Sequence, residues 1–151
     1  MTETVLAPVV CTVEIAAPRE RVFELFTVPE RLVEWWPDAA TFEARAGGHV
    51  HLEFDGRGEV SGTVTRFDPP NALGFTWVRG VAPDVVTQVD VELTELADGG
   101  TRVVLTHAGW EAVPEDQVAE WRELHDAGWR HFLGLLRDLA EGRPVDKTAQ
   151  G

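Results

Sequence analysis

Residues 115 to 141 constrain this chain more than any other stretch, because they read as one long amphipathic helix after an unbroken run of strand-like segments. Val118, Trp121, His125, Gly128, Trp129, Phe132, Leu136 and Leu139 recur at helical steps, so one face is apolar and aromatic along its length. At ~1.5 Å per residue such a helix spans about 40 Å, longer than most single strands. A face that long needs a whole curved sheet to cover it, and that packing either closes a core or encloses a pocket.

The rest of the chain supplies the sheet. Val9 to Ala16 alternates and is rich in β-branched residues, as in a first strand. Ala17-Pro18 opens a helix to about Phe26. Thr27, with Pro29 and Glu30 behind it, has the pattern of a capped second short helix ending at Trp35-Trp36-Pro37. From Ala40 to Gly109 six strands are predicted, near 40–46, 48–55, 58–68, 72–79, 85–96 and 101–109. Gly47-Gly48, Asp55-Gly56, Pro69-Pro70-Asn71 and Asp98-Gly99-Gly100 punctuate them. The connections are short enough for an antiparallel meander. Gly142, Arg143 and Pro144 end the last helix, and 143–151 is expected to fray. The predicted domain is 9–142, of α+β class.

Composition narrows the function. The 151 residues, 44% of them hydrophobic, suffice for one domain with its own core. Cys11 is the only cysteine, which excludes an intrachain disulfide and a thiolate metal cluster and suits a reducing cytosol. Thirteen basic against 26 acidic residues give a net charge of −13, so nucleic acid and anionic membranes are poor partners. No run has the apolar length of a membrane insertion. A cytoplasmic protein is expected.

Strand parity then sorts the candidate chemistry. Leu73, Phe75 and Trp77, then Val89, Val91 and Leu93, then Val103, Leu105 and His107 each share one parity, so His107 points to the core side. His125 lies on the apolar stripe of the final helix, so two imidazoles can approach one interior, to orient a ligand or move a proton. The ordinary account is two partly buried histidines satisfied by backbone or water. His49, His51 and Glu53 share the opposite parity, and same-face strand positions about 7 Å apart rarely converge on one metal ion. Asp90 and Glu92 face outward, which excludes a paired-carboxylate glycosidase. Arg79 and Asp84 flank a loop, Gly80 to Pro83, that either gates a pocket mouth or merely joins two strands. Of the two adjacent indoles, Trp36 is expected inside and Trp35 outside or at a rim, because successive helical residues diverge by about 100°; the alternative is that both simply anchor the short helix to the sheet edge. Gly128 costs roughly 1 kcal/mol in mid-helix; close packing against a strand is its default reason, and cavity space the other.

The ordered combination of several segments resembles the AHSA-type branch of the START-like, or SRPBCC, superfamily. They are Ile15-Ala16-Ala17-Pro18 with Val22-Phe23, the Pro29–Trp36 segment with its double Trp, Gly47-Gly48, Gly62-Thr63-Val64, Phe67 to Trp77, Thr101 to Trp110, and the Gly128-Trp129 helix. The usual Trp-Trp-Gly-Pro is here Trp35-Trp36-Pro37-Asp38. The resemblance implies a helix-grip fold: a curved antiparallel sheet of about seven strands wrapped on the long C-terminal helix, with two short helices after the first strand. It also implies binding of lipids, sterols, polyketides or other hydrophobic small molecules, cyclase activity, or activation of a chaperone ATPase.

The leading expectation is a binder of a hydrophobic, aromatic or polycyclic small molecule. Trp36, Phe75, Trp77, Trp121, Trp129 and Phe132 would hold it, with Val91, Leu105 and Gly128 lining the space and His107 and His125 orienting its polar end. A cofactor-independent cyclase or dehydratase using one of these histidines is the second reading, and an interaction module or chaperone-ATPase activator the third. No metal or other cofactor is called for, and homodimer formation is left open.

Overall fold

The computed structural model describes residues 6–147. In β1 (Val9–Ile15), Val9, Cys11 and Ile15 are buried while Val10, Thr12 and Glu14 face solvent, the alternation of a strand covered on one side. Helices α1 (Arg19–Thr27) and α2 (Pro29–Leu32) follow. Six more strands come next: β2 (Ala39–Phe42), β3 (His49–Phe54), β4 (Gly58–Asp68), β5 (Ala72–Arg79), β6 (Thr87–Glu95) and β7 (Thr101–Ala108). A single 3-10 turn (Trp110–Ala112) then leads to α3 (Val118–Ala140).

The strands form one sheet in the order β1-β7-β6-β5-β4-β3-β2, every neighbouring pair antiparallel. β2 to β7 are a meander. The one long connection, through α1 and α2, joins the two opposite edges, β1 and β2. A register shift between Val64 and Arg66 bends β4, and at Gly62 a Cβ would lie 1.9 Å from the Thr76 carbonyl oxygen, so only glycine lets β4 come this close to β5. The sheet grips α3, which buries Val118, His125, Trp129, Phe132, Leu133, Leu136 and Ala140. This is the α+β helix-grip arrangement. Among the described residues no helix is long and apolar enough to cross a membrane.

Local differences from the sequence reading have physical causes. The last helix begins at Val118 rather than 115, because Gln117 N–H bonds the Pro114 carbonyl in a turn that precedes it. Thr27 does not cap α2: it ends α1, and its hydroxyl donates back to the Phe23 carbonyl at 2.9 Å. Trp35, expected outside, is fully buried, deeper than Trp36 at 5% exposure. Each indole finds its own buried partners, Trp35 against Phe26 and Trp36 against Phe54, Trp77 and Trp129, so both sides of this turn are covered. The two indoles stack at 5.4 Å, and Trp35 Nε1 donates to the Leu25 carbonyl at 2.8 Å. The segment expected to fray from 143 lies against the domain as far as Lys147, whose ammonium donates to the Val33 and Pro37 carbonyls at 2.6 and 2.9 Å; 148–151 are outside the described residues.

Candidate functional site

Three indoles meet where the sheet faces the middle of α3. Trp77 enters from the inward parity of β5, Trp129 from the helix stripe, and Trp36 from the turn after α2. Their ring centroids lie 6.0 Å (Trp36–Trp77), 5.2 Å (Trp36–Trp129) and 5.2 Å (Trp77–Trp129) apart. An indole N–H only donates, and a buried one needs an acceptor. Both inner donors find a histidine: Trp129 Nε1 donates to His107 Nδ1 at 3.0 Å, and Trp77 Nε1 donates to His125 Nε2 at 3.2 Å.

These bonds fix the protons on both rings. With Nδ1 accepting, His107 carries its proton on Nε2 and donates it to Thr87 Oγ1 at 2.7 Å; that hydroxyl donates to the Trp77 carbonyl at 3.4 Å. With Nε2 accepting, His125 carries its proton on Nδ1 and donates it to the Trp121 carbonyl at 2.7 Å. The imidazoles, 5.1 Å apart, are therefore complementary neutral tautomers with all four nitrogens occupied. Electrostatics agree. Burial, reinforced by the neighbouring His125, holds His107 well below its ordinary value; burial also lowers His125, with the Arg79 charge acting the same way and the Trp121 carbonyl opposing. With every ring nitrogen engaged, neither imidazole holds a free lone pair in this arrangement, and the two bonds lock the Trp77 and Trp129 indoles in place.

A cleft of about 160 Å³ opens beside the indoles, lined by Trp36, Trp77 and Trp129, by Phe54, Arg57 and Val60 of the β3–β4 hairpin, by Arg79 at the end of β5, and by Leu124, His125, Gly128 and Phe132 of α3. Gly128 explains the space: a Cβ built there meets nothing within 4 Å. The default of close packing against a strand does not hold, and the glycine keeps a groove open. Around Trp36, Phe54, Arg57 and Phe132 the cleft continues into a polar recess of about 470 Å³ bounded by Asp38, Asp55 and Lys147.

Of the residues singled out from sequence, Trp36, Trp77, His125, Gly128, Trp129 and Phe132 come together at this cleft. Phe75, Val91, Leu105 and His107 do not reach it; they are solid core behind it, because parity fixes the side of a sheet and not the depth. Trp121 lies outside the cleft, half-buried beneath Arg79, whose Cζ sits 4.5 Å from the ring centroid. Sequence reasoning missed Phe54, Arg57, Val60 and Leu124. Phe54 shares the inward parity of Val50 and Leu52, a signal that could have found it; the others depend on how far one hairpin leans over the helix. Trp110, fully buried and 4.5 Å from the His107 ring, also went unassigned. On the outer face, the His49 and His51 rings lie 6.3 Å apart, and His51 Nδ1 bonds Ser61 Oγ at 3.0 Å. Among the described residues no three His, Cys, Asp or Glu side chains gather as metal ligands would.

Comparison with known proteins follows the same outline. Residues 16–141 match the family model described as activator of Hsp90 ATPase homolog 1-like protein. DynU16, from the dynemicin biosynthetic locus, is 27% identical with a TM-score of 0.75, over 93% of this chain and 50% of its own, so the chain spans half the length of that protein. CalU16 from Micromonospora echinospora is 26% identical with a TM-score of 0.65, over 85% of this chain and 74% of its own. The Aha1 dimer from Colwellia psychrerythraea, 22% identical with a TM-score of 0.76 over 90% of this chain and 97% of its own, shares the fold. No curated protein matches the chain.

Proposed function

The chain belongs to the family of activator of Hsp90 ATPase homolog 1-like proteins, and from that premise we propose that it binds a hydrophobic, ring-bearing small molecule in the cleft beside Gly128 without transforming it. The observation that carries the reading is the empty volume in front of Gly128, kept open at a cost to the helix and walled by three indoles and two phenylalanines. At about 160 Å³ the cleft is smaller than the ~300–1,000 Å³ usual for ligand pockets. It takes the ring end of a ligand, whose remainder runs along the adjoining polar recess. The similarity to DynU16, a protein of a biosynthetic locus, supports a small molecule as the partner.

The histidine pair supports binding over the cyclase reading, since every ring nitrogen is engaged. One chain supplies the whole lining, so a second copy is not needed to complete the site. The setting proposed is the cytosol, where the buried free thiol of Cys11 stays reduced. Intrinsic Trp fluorescence titrated with flavonoids, polyketides and lipids tests the reading: saturable quenching by ring-bearing members, lost in Gly128→Phe, is expected. Absence of any saturable response across the panel overturns it.

A further inference from the structure

Building on the cleft as the binding site, we infer that its ligand carries an acidic group, a carboxylate or comparable oxyanion, received at the cleft mouth by Arg57 and Arg79. Acidic residues outnumber basic ones 26 to 13 in this chain, yet the cleft lining holds two arginines and no Asp or Glu. Arg31, Arg66, Arg102, Arg130 and Arg143 all lie within 3.5 Å of a carboxylate oxygen. Arg21 and Arg122 bond main-chain carbonyls instead, and Arg137, also without an ion pair among the described residues, borders a different groove. Among the described residues Arg57 and Arg79 form no ion pair.

Position makes the two a pair. Val60 is the register partner of Arg79 across β4 and β5, and Arg57 stands just before Val60 at the hairpin tip. Both residues border the same outer recess, where Glu59 is the local acid and forms an ion pair with neither. Arg79 is preorganised: its guanidinium stacks on Trp121 at 4.5 Å, and burial lowers its pKa, the mark of a cation partly stripped of water with no counter-charge. A planar guanidinium held this way suits a carboxylate, which it can meet through two parallel hydrogen bonds. Arg57 also borders the adjoining recess, where Asp38 is already engaged by the Lys147 ammonium at 3.7 Å and by the Asp55 main-chain N–H at 2.7 Å, so an acid group is favoured on the side of Arg79.

The test compares 2-naphthoate, ionised at pH 7, with neutral 2-naphthamide, each titrated by Trp fluorescence and calorimetry against the full chain. The expected result is naphthoate binding about tenfold tighter, with added salt narrowing the gap. Arg57→Gln and Arg79→Gln should each weaken naphthoate more than naphthamide and so pull the ratio toward one. Equal affinities in the native protein, or a ratio that survives both substitutions, overturn the inference and leave the cleft reading standing. Failure of both probes to bind removes the cleft reading and this inference with it. Should Arg79→Gln not fold, Arg57→Gln at its exposed hairpin tip carries the comparison alone.

Discussion

Replacing Gly128 with Ala separates stability from binding in one substitution. Glycine in a helix interior is about 0.8–1.0 kcal/mol worse than alanine, and the new methyl clashes with nothing, since no atom lies within 4 Å of it. Gly128 is well inside the 23-residue α3, where the full propensity difference applies. With an unfolding entropy near 2.1 cal/mol/K per residue, a chain of this size gains roughly 3 °C in Tm from about 1 kcal/mol. The same methyl projects into the ligand cleft, where overpacking by one carbon costs a bound ring about 1 kcal/mol or more, roughly fivefold in affinity. Gly134→Ala is the control: its Cβ also meets nothing within 4 Å, but the groove it borders is a different one, near Cys11 and Arg137. It should raise the Tm equally and leave binding alone. Differential scanning calorimetry and ligand titration of both variants decide the matter. A lower Tm in Gly128→Ala shows that the side-chain direction is wrong, and unchanged ligand affinity in Gly128→Phe shows that the cleft is not the site.

The histidine network yields further expectations. Thr87→Val leaves His107 Nε2 without its partner in the core, costing about 1–3 kcal/mol in urea unfolding; no change would mean that the Thr87–His107 bond does not contribute to the fold. Trp129→Phe strands the opposite nitrogen, His107 Nδ1, at a similar cost of about 1–3 kcal/mol, and should lower ligand affinity as well. Because both folded pKa values lie below the ordinary 6.5, the unfolded chain binds more protons just below that pH; this contribution to stability is complete above 6.5 and lost as pH falls toward each folded pKa, at up to about 1.4 kcal/mol per pH unit per histidine. A flat stability profile from above pH 7 down to about pH 5 would contradict two neutral buried imidazoles.

Periodicity made most of the architecture legible. Strand parity put His107 on the core side, and helical steps put His125, Gly128 and Trp129 on the inner stripe, because side-chain direction in regular elements is a local property. Depth is not local. Phe75, Val91 and Leu105 share a face with Trp77, yet only Trp77, near the end of β5, reaches the opening, and that depends on where the sheet stops covering the helix. Arg57 and Val60 were silent for the same reason: nothing in their neighbours tells that the β3–β4 hairpin leans toward α3. Arg79 was noticed as a flank of its loop, but its stacking on Trp121 joins a strand end to a helix start far apart in sequence. Trp35 was expected outside because divergence of helical neighbours says nothing of what covers each side, and here Phe26 covers one indole while Phe54, Trp77 and Trp129 cover the other.

The histidines bear on binding without touching the chemistry of a ligand. By accepting the indole protons, His107 from the core behind the cleft and His125 from its wall, the two rings occupy the polar edges of Trp129 and Trp77 and hold both indoles at fixed angles. A ligand then meets preformed apolar surface and orders little on arrival, which favours binding by a small cleft. Protonation undoes this, because an imidazolium has no acceptor and its new N–H opposes the indole N–H. Affinity for an uncharged ring such as naphthamide should therefore fall with stability below pH 6.5, the ordinary histidine value. The neutral probe carries no charge for Arg57 and Arg79 to meet, so its loss reports the histidines. If naphthamide affinity holds to about pH 5 while stability drops, the indoles are not held in place by the histidines.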